Sequence, residues 1–287
     1  MRVDLHIHTN ISDGGESFQN ILKKCQKDNI EYISITDHNS FRELSYLNEG
    51  YSDIKVINGM EFDVRYSKNM IFHILLYNYD PTSKVLKKYY YDNRRYEIKN
   101  FYKKIKQIEK RNNIILDKKK IKKFIKNNNY FDRVRLNNLL VFCEICSTPE
   151  EAYKKYTYSL STNKRKSISL KRLFEIANES NGIVSFAHPM KYGLTIDLIE
   201  SIILKLKNKY NLRVVEAINN HQTIEEQNEL LKFCKDNNLY ISAGSDLHFK
   251  LCSEKDEHIG IIKGNYIDSD NVTFLKLIDN KEVSYYE

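Results

Sequence analysis

His6 and His8 stand two positions apart in RVDLHIHTNISDGG, and Asp246 and His248 stand two apart in SAGSDLHF, close to the other end of the chain. Alternate residues of a strand share a face, so the two imidazoles of the first pair can reach one ion. Asp13 follows in a Gly-rich turn, His38 in ITDHN, Glu61 in GMEF, His73 in MIFHILLY and His188 in FAHP. Nitrogen and oxygen donors without a thiolate suit Zn, Mn or Fe about equally. His6, His8, Asp13, His38, Glu61, His73, His188, Asp246 and His248 are too many for one tetrahedral zinc site, which takes four. They predict two or three divalent ions sharing a bridging carboxylate, with Glu61 as the bridge and Glu61, Asp246 and His248 as the catalytic set. Such a centre lowers the pKa of a water and clamps the attacking and leaving oxygens of a displacement at phosphorus. No G-x-S-x-G or P-loop pattern offers another nucleophile or a nucleotide fold.

The elements that must hold these residues follow from periodicity. RVDLHIH alternates, with Val3, Leu5 and Ile7 on one side and Asp4, His6 and His8 on the other. Ser17 is placed to cap a helix running to Asp28. Further strands are predicted at EYISIT, KVINGMEF, MIFHILLY, GIVSFAH, RVVEAIN and YISAGS, with helices at FEIANESN, TIDLIESIILKLKNKY and TIEEQNELLKFCKDN. Strand alternating with helix argues for α/β with a largely parallel sheet, and seven strands over this length argue for a barrel. Nearly every donor falls at the C-terminal end of a strand, the face on which barrel enzymes gather their chemistry. Closure of the barrel would set the first and last strands side by side.

Residues 81–166 break the alternation. RRYEIKNFYKKIKQIEKR, DKKKIKKFIKNN and DRVRLNNLLVFCEI read as helices, so a helical insertion is expected between two barrel portions, 1–80 and 167–287. Between Lys84 and Lys126 there are 17 Lys or Arg against 4 Asp or Glu, within a chain of net charge +8. A basic segment of this kind suggests an anionic partner, as substrate or as nucleic acid; the plainer reading is a solvated helical face. Cys143 and Cys146 form a lone C-x-x-C in an apolar helix and read as buried thiols. No apolar run approaches the ~20 residues of a membrane span, and a cytoplasmic location with no membrane or obligate protein partner is expected.

In their order, HIHTNISDG, ITDHN, GMEF, FHIL, FAHP and GSDLH resemble the motifs of the PHP (polymerase and histidinol phosphatase) family. The resemblance implies a distorted (β/α)7 barrel with a trinuclear centre that hydrolyses phosphoesters. Carried over position by position, it implies one metal on His6, His8, Glu61 and Asp246, a second on Glu61, His73 and His188, and a third on Asp13, His38 and His248. The helical insertion is similar to that of the TrpH-like stand-alone subgroup, which includes 5′→3′ exonucleases and 3′,5′-nucleoside bisphosphate phosphatases. There Arg133 matches an arginine that contacts substrate phosphate, with Arg94, Arg95 and Lys191 as further candidates. Where the subgroup carries Thr-Arg-x-His, this chain has Asp132, Arg133, Val134 and Arg135, and a Gly-Tyr-Val-Pro stretch is replaced by TNKRKSIS. Glu216 and His221, at the end of the sixth strand, are expected to touch substrate or to buttress the site.

The expected function is thus a metal-dependent phosphoesterase acting on a phosphorylated nucleotide or short single-stranded nucleic acid. A histidinol-phosphatase-like small-molecule phosphatase is one alternative. A metal-dependent amidohydrolase, which also begins with H-x-H on a barrel strand, is another, although the TDH and SDLH motifs fit it poorly. A non-enzymatic nucleic-acid-binding module would rest on the basic segment alone and leave the nine donors unexplained.

Overall fold

The computed structural model describes residues 1–40, 53–160, 166–248 and 258–280. Part of the substituted stretch TNKRKSIS lies outside the described residues. The first half runs β1 (Arg2–Ile7), α1 (Phe18–Asp28), β2 (Ile30–Ile35), β3 (Lys55–Arg65) and β4 (Ile71–Tyr77). Four helices follow: α2 (Lys84–Asn112), α3 (Lys118–Lys126), α4 (Arg133–Phe142) and α5 (Pro149–Ala152). The second half runs β5 (Ile168–Ser169), α6 (Leu170–Glu179), β6 (Ile183–Phe186), α7 (Ile196–Tyr210), β7 (Val214–Ile218), α8 (Ile224–Asp236) and β8 (Tyr240–Ala243). A small antiparallel pair, β9 (Ile261–Ile262) with β10 (Asn265–Tyr266), and α9 (Leu275–Asn280) complete it.

The fold is α/β, with strands in the order β1-β2-β3-β4-β6-β7-β8 and β5 paired to β3. All pairings on that path are parallel except those of β4, which runs antiparallel to both β3 and β6. The reason is the connection 66–70, where the amides of Tyr66 and Ser67 donate to the Met70 carbonyl. A link that short can only reverse the chain, because a parallel crossover needs a dozen residues or more. Among the described residues no ladder joins β8 to β1, so the path is an open sheet and not the closed barrel that the sequence led us to expect. Its ends meet instead through one bridge, Ile7 to Leu247, with the His8 amide donating to the Leu247 carbonyl at 2.9 Å. That contact sets the first and last strands' ends together, which is what the site requires.

Local chemistry fixes the helix boundaries. Ser17 accepts from the Asn20 amide at the start of α1, Asp117 caps α3, and Asp132 caps α4. Thr223 and Glu226 form a reciprocal capping box on α8. Each such cap contributes about 1 kcal/mol. The N-terminal part of α2 sends Leu86 and Tyr89 into the large core under β3, β4 and β6. Beyond Phe101, α2 packs with α3 and α4 around a separate apolar cluster that includes Ile105, Phe124, Leu136 and Leu139. Cys143 and Cys146 are buried in that cluster, and both are free thiols. Among the described residues no helix is long and apolar enough to cross a membrane.

Candidate metal centre

The period of two in β1 puts Asp4, His6 and His8 on one face, and all three are fully buried. Two glycines let other backbone close on that face. A Cβ on Gly14 would stand 2.3 Å from the His8 carbonyl oxygen, and one on Gly244 would stand 2.2 Å from the His6 Cβ. Two of the donors sit on backbone that side chains rarely adopt, His188 at φ 28° and Asp246 at φ 56°. Such conformations cost of order 1–3 kcal/mol each and persist where the surroundings enforce them, typically at functional sites.

Glu61 is at the centre. His73 Nδ1 lies 2.8 Å and His188 Nε2 3.1 Å from Glu61 Oε1, while His38 Nδ1 lies 3.0 Å and His8 Nε2 3.3 Å from Oε2. Asp246 Oδ1 is 3.4 Å from His6 Nε2 and 3.3 Å from His8 Nε2. Asp13 faces His8 Nδ1 at 3.4 Å, His38 Nε2 at 3.5 Å and His248 Nε2 at 3.4 Å. Among the described residues, three sets have donor atoms mutually within 4.8 Å: His6, His8, Glu61 and Asp246; His8, Asp13, His38 and His248; and His38, Glu61 and His73. The first has the membership the family resemblance implies. The others differ from it in sharing His8 and His38, and His188 stands beside Glu61 rather than inside the third set.

These donors fit divalent cations. Nε2 of His6 and His8, Nδ1 of His73, Oε2 of Glu61 and Oδ1 of Asp246 are buried and make no hydrogen bond. Buried polar atoms ordinarily find partners, and several left open toward one another mark a place for an ion. The field agrees. Burial disfavours a charged His8, yet Asp246 and Glu61 outweigh it and lift its pKa to about 10. His73, partly buried, is lifted to about 9 by Glu61 and Asp63 against the cost of that burial. Burial pushes His188 down to about 3, leaving the neutral ring that serves as a ligand. Glu61 is held well below the usual carboxylate range, burial notwithstanding, by His38, His73 and His6.

A second layer of carboxylates orients the first. Glu216 Oε1 lies 2.9 Å from His6 Nδ1, and its Oε2 accepts from the His188 amide at 2.7 Å. Asp37 accepts from the Thr9 amide at 2.8 Å, the Thr9 hydroxyl at 2.6 Å and the Ser12 hydroxyl at 2.5 Å, which pins the turn leading to Asp13. Asp4 accepts from the Ser245 amide and hydroxyl and from the Gly260 amide, tying β1 to the segment after β8. Asp63 Oδ1 lies 3.3 Å from His73 Nε2. Partners of this kind fix ring orientation and tautomer in metal sites. The sequence signal for Asp4 was its place on the His6 face; Asp37 and Asp63 were visible only as polar residues in buried strand-end positions.

Several expected substrate contacts are placed differently. Glu216 is fully buried beneath His6, with both oxygens engaged, a placement that accords with the second of its two expected roles, buttress, rather than with substrate contact. His221 Nε2 and Lys191 Nζ each lie 2.7 Å from Asp246 Oδ2, and each side chain is 32% exposed, so both stand on the solvent rim. Arg133 donates to the Leu160 carbonyl at 2.8 Å and stacks toward the Tyr153 ring, with its Nε buried and without a hydrogen-bond partner. Lys104 is buried near it, its pKa lowered by burial and by the Arg133 charge. Arg94 donates to the Asn128 and Ile125 carbonyls and serves to close α3, whereas Arg95 is exposed beside Asp92. His258 lies 3.9 Å from Asp28 and belongs to none of the three sets.

Residues 4–132 match the PHP domain family. Over 263 residues the chain is 21% identical to the 5′-3′ exoribonuclease Rnm of Escherichia coli, covering 85% of this chain and 84% of that protein. It is 22% identical over 261 residues to a 5′-3′ exoribonuclease of Haemophilus influenzae, covering 86% and 90% respectively. A shorter match, 27% identical over 77 residues, spans 21% of this chain but only 14% of the DNA polymerase/3′-5′ exonuclease PolX of Bacillus subtilis. Among solved structures, a protein assigned as a metal-dependent phosphoesterase of Bifidobacterium adolescentis superposes with a TM-score of 0.72 at 18% identity, covering 98% of this chain and 96% of that one. An amidohydrolase of Chromobacterium violaceum with bound sulfate superposes with a TM-score of 0.64 at 20% identity, covering 86% and 88%. At these identities the superpositions establish the shared fold.

Proposed function

We propose, for a metal-dependent phosphoester hydrolase whose residues 4–132 match the PHP domain family, that the ester cleaved is that of a nucleotide or of the 5′ end of a short single-stranded nucleic acid. The observation that carries the reading is the set of buried donor atoms without hydrogen bonds around Glu61 and Asp246. Support for the substrate class comes from relatives named as 5′-3′ exoribonucleases that align with some 85% of the chain.

The donors His6, His8, Glu61 and Asp246 would hold one ion, Asp13, His38 and His248 with His8 a second, and His73 with Glu61 and His38 or His188 a third. Divalent ions bound there lower the pKa of a water and neutralise charge on phosphoryl oxygens. The protein's own residues do the rest. Glu61 and Asp246 balance the cations in a dry site where charge interactions are strong. Glu216 and Asp63 hold His6 and His73 at fixed angles, so that little reorganisation accompanies the reaction. On the rim, the Lys191 ammonium meets an incoming phosphate, and His221 is positioned to hand a proton to the leaving oxygen. Arg133, with its open Nε and with Lys104 beside it, supplies a second anion contact from the helical segment.

The test is a product-resolved assay with Mn²⁺, offering adenosine 3′,5′-bisphosphate and a 5′-phosphorylated RNA oligonucleotide in parallel. Stepwise release of mononucleotides assigns an exonuclease, and phosphate from the bisphosphate alone assigns a nucleotidase. Turnover of neither, or full turnover by Asp246→Asn, refutes the reading.

A further inference from the structure

We propose that the helical segment is a working part of the metal centre: Tyr89 of α2 and Arg135 of α4 are positioning residues, the first for His73 and the second for the turn that carries Asp13. The inference rests on the metal-centre reading above. It departs from the reading of that segment as an anion-binding or solvated helical face, because two connections from two different helices run to two different donors.

The first connection starts at Tyr89, whose hydroxyl donates to Asn39 Oδ1 at 2.5 Å. Asn39 Nδ2 donates in turn to Asp63 Oδ2 at 3.0 Å, and Asp63 Oδ1 stands 3.3 Å from His73 Nε2. The other ring nitrogen of His73 faces Glu61 at 2.8 Å. Asn39 also donates its backbone amide to the Glu61 carbonyl at 2.8 Å, from a left-handed backbone at φ 47°. Tyr89, Asn39 and Asp63 are 8%, 2% and 3% exposed, so the bonds among these three are shielded from water. The Tyr89 ring itself is fixed against Phe62, one residue along β3 from Glu61. A shift of α2 therefore reaches His73 through rigid, buried groups.

The second connection is shorter. Arg135 Nη2 donates to the carbonyl oxygens of Asn10 at 3.0 Å and Ser12 at 3.1 Å, gathering the turn between β1 and Asp13 onto α4. Its backbone amide is itself held by Asp132 at 2.7 Å, so the arginine projects from a capped helix start. Asp13 then faces His8, His38 and His248. Coupling of this kind is reciprocal: if helix position favours ligand geometry, bound metal must favour helix position to the same extent.

The experiment uses the full chain with Mn²⁺ and no substrate. Hydrogen exchange of α2 and α4 amides is followed without and with saturating Mn²⁺, and Mn²⁺ affinity is measured by competition with a chelating indicator. The proteins are the wild type, Tyr89→Phe, Arg135→Ala and Arg135→Lys. Metal should slow exchange in the first turns of α2 and in α4 of the wild type. Tyr89→Phe and Arg135→Ala should each weaken the most loosely held ion roughly 10-fold, as loss of an outer partner does, with Arg135→Lys recovering part of the loss. Wild-type helices whose exchange ignores Mn²⁺ overturn the proposal without requiring any variant to fold. So do folded variants with wild-type affinity. Neither readout depends on which ester is cleaved, whereas a wild type that binds no Mn²⁺ removes the metal-centre reading and the inference together.

Discussion

Replacing Glu216 by glutamine separates a buttress from a substrate contact. Glutamine matches the shape of the native side chain and still accepts from the His188 amide, which lies 2.7 Å from Oε2. It loses the charge that faces His6 Nδ1 at 2.9 Å. Burial raises the pKa of Glu216 despite the His6 partner, so a neutral side chain relieves part of that desolvation and the fold should survive. The loss falls on His6 as a ligand. Removing an outer carboxylate of this kind costs about 10- to 100-fold in metal affinity, or about 1.4–2.7 kcal/mol. Mn²⁺ titrations of turnover should therefore shift to higher concentration by that factor, with activity recovered at saturation. KM for the phosphoester should stay at the wild-type value, because Glu216 is fully buried. An unchanged Mn²⁺ titration with a raised KM at saturating metal would mean that Glu216 reaches substrate, and the argument from burial would be wrong.

Asp37→Ala strips the acceptor from Thr9 and Ser12 and should destabilise the protein by roughly 2–4 kcal/mol, read from urea unfolding at fixed metal. Gly244→Ala places a Cβ 2.2 Å from the His6 Cβ and 2.7 Å from the His6 amide nitrogen, and metal content after dialysis should fall sharply; wild-type metal content would show that the strand ends can part. Chelation should abolish turnover and lower the melting temperature, and added Mn²⁺ at 100 times Kd should restore about 2.7 kcal/mol of stability. An unmoved melting curve would contradict the open donor atoms of His6, His8 and Asp246.

How much of this was legible beforehand depends on the range of the interaction. The period of two set His6 and His8 on a common face, and seven strand-length runs located the strands that carry most of the donors. The reversal of β4 was legible in principle, since the five-residue connection 66–70 forbids a crossover, yet the parallel pattern of the surrounding strands masked it. The role of Glu216 was not legible, because sequence places a residue near a strand end without saying on which side of the donors it lies. Arg133 and Arg135 show the limit most plainly. Two positions apart on the first turn of a helix, they point to different sides; resemblance singled out Arg133, while the bonds to the metal turn belong to Arg135.

The bridge between the end of β1 and the residue after Asp246 also governs when the centre can exist. Asp4 and Ser245, which bond across it, are 241 residues apart in sequence. His6 and His8 lie on one side of that separation and Asp246 on the other, so a nascent chain holds only part of this donor set until Asp246 has been made. Contacts this distant form slowly and late. A complete His6, His8, Glu61 and Asp246 set therefore marks a chain in which β1 has met the segment that follows β8.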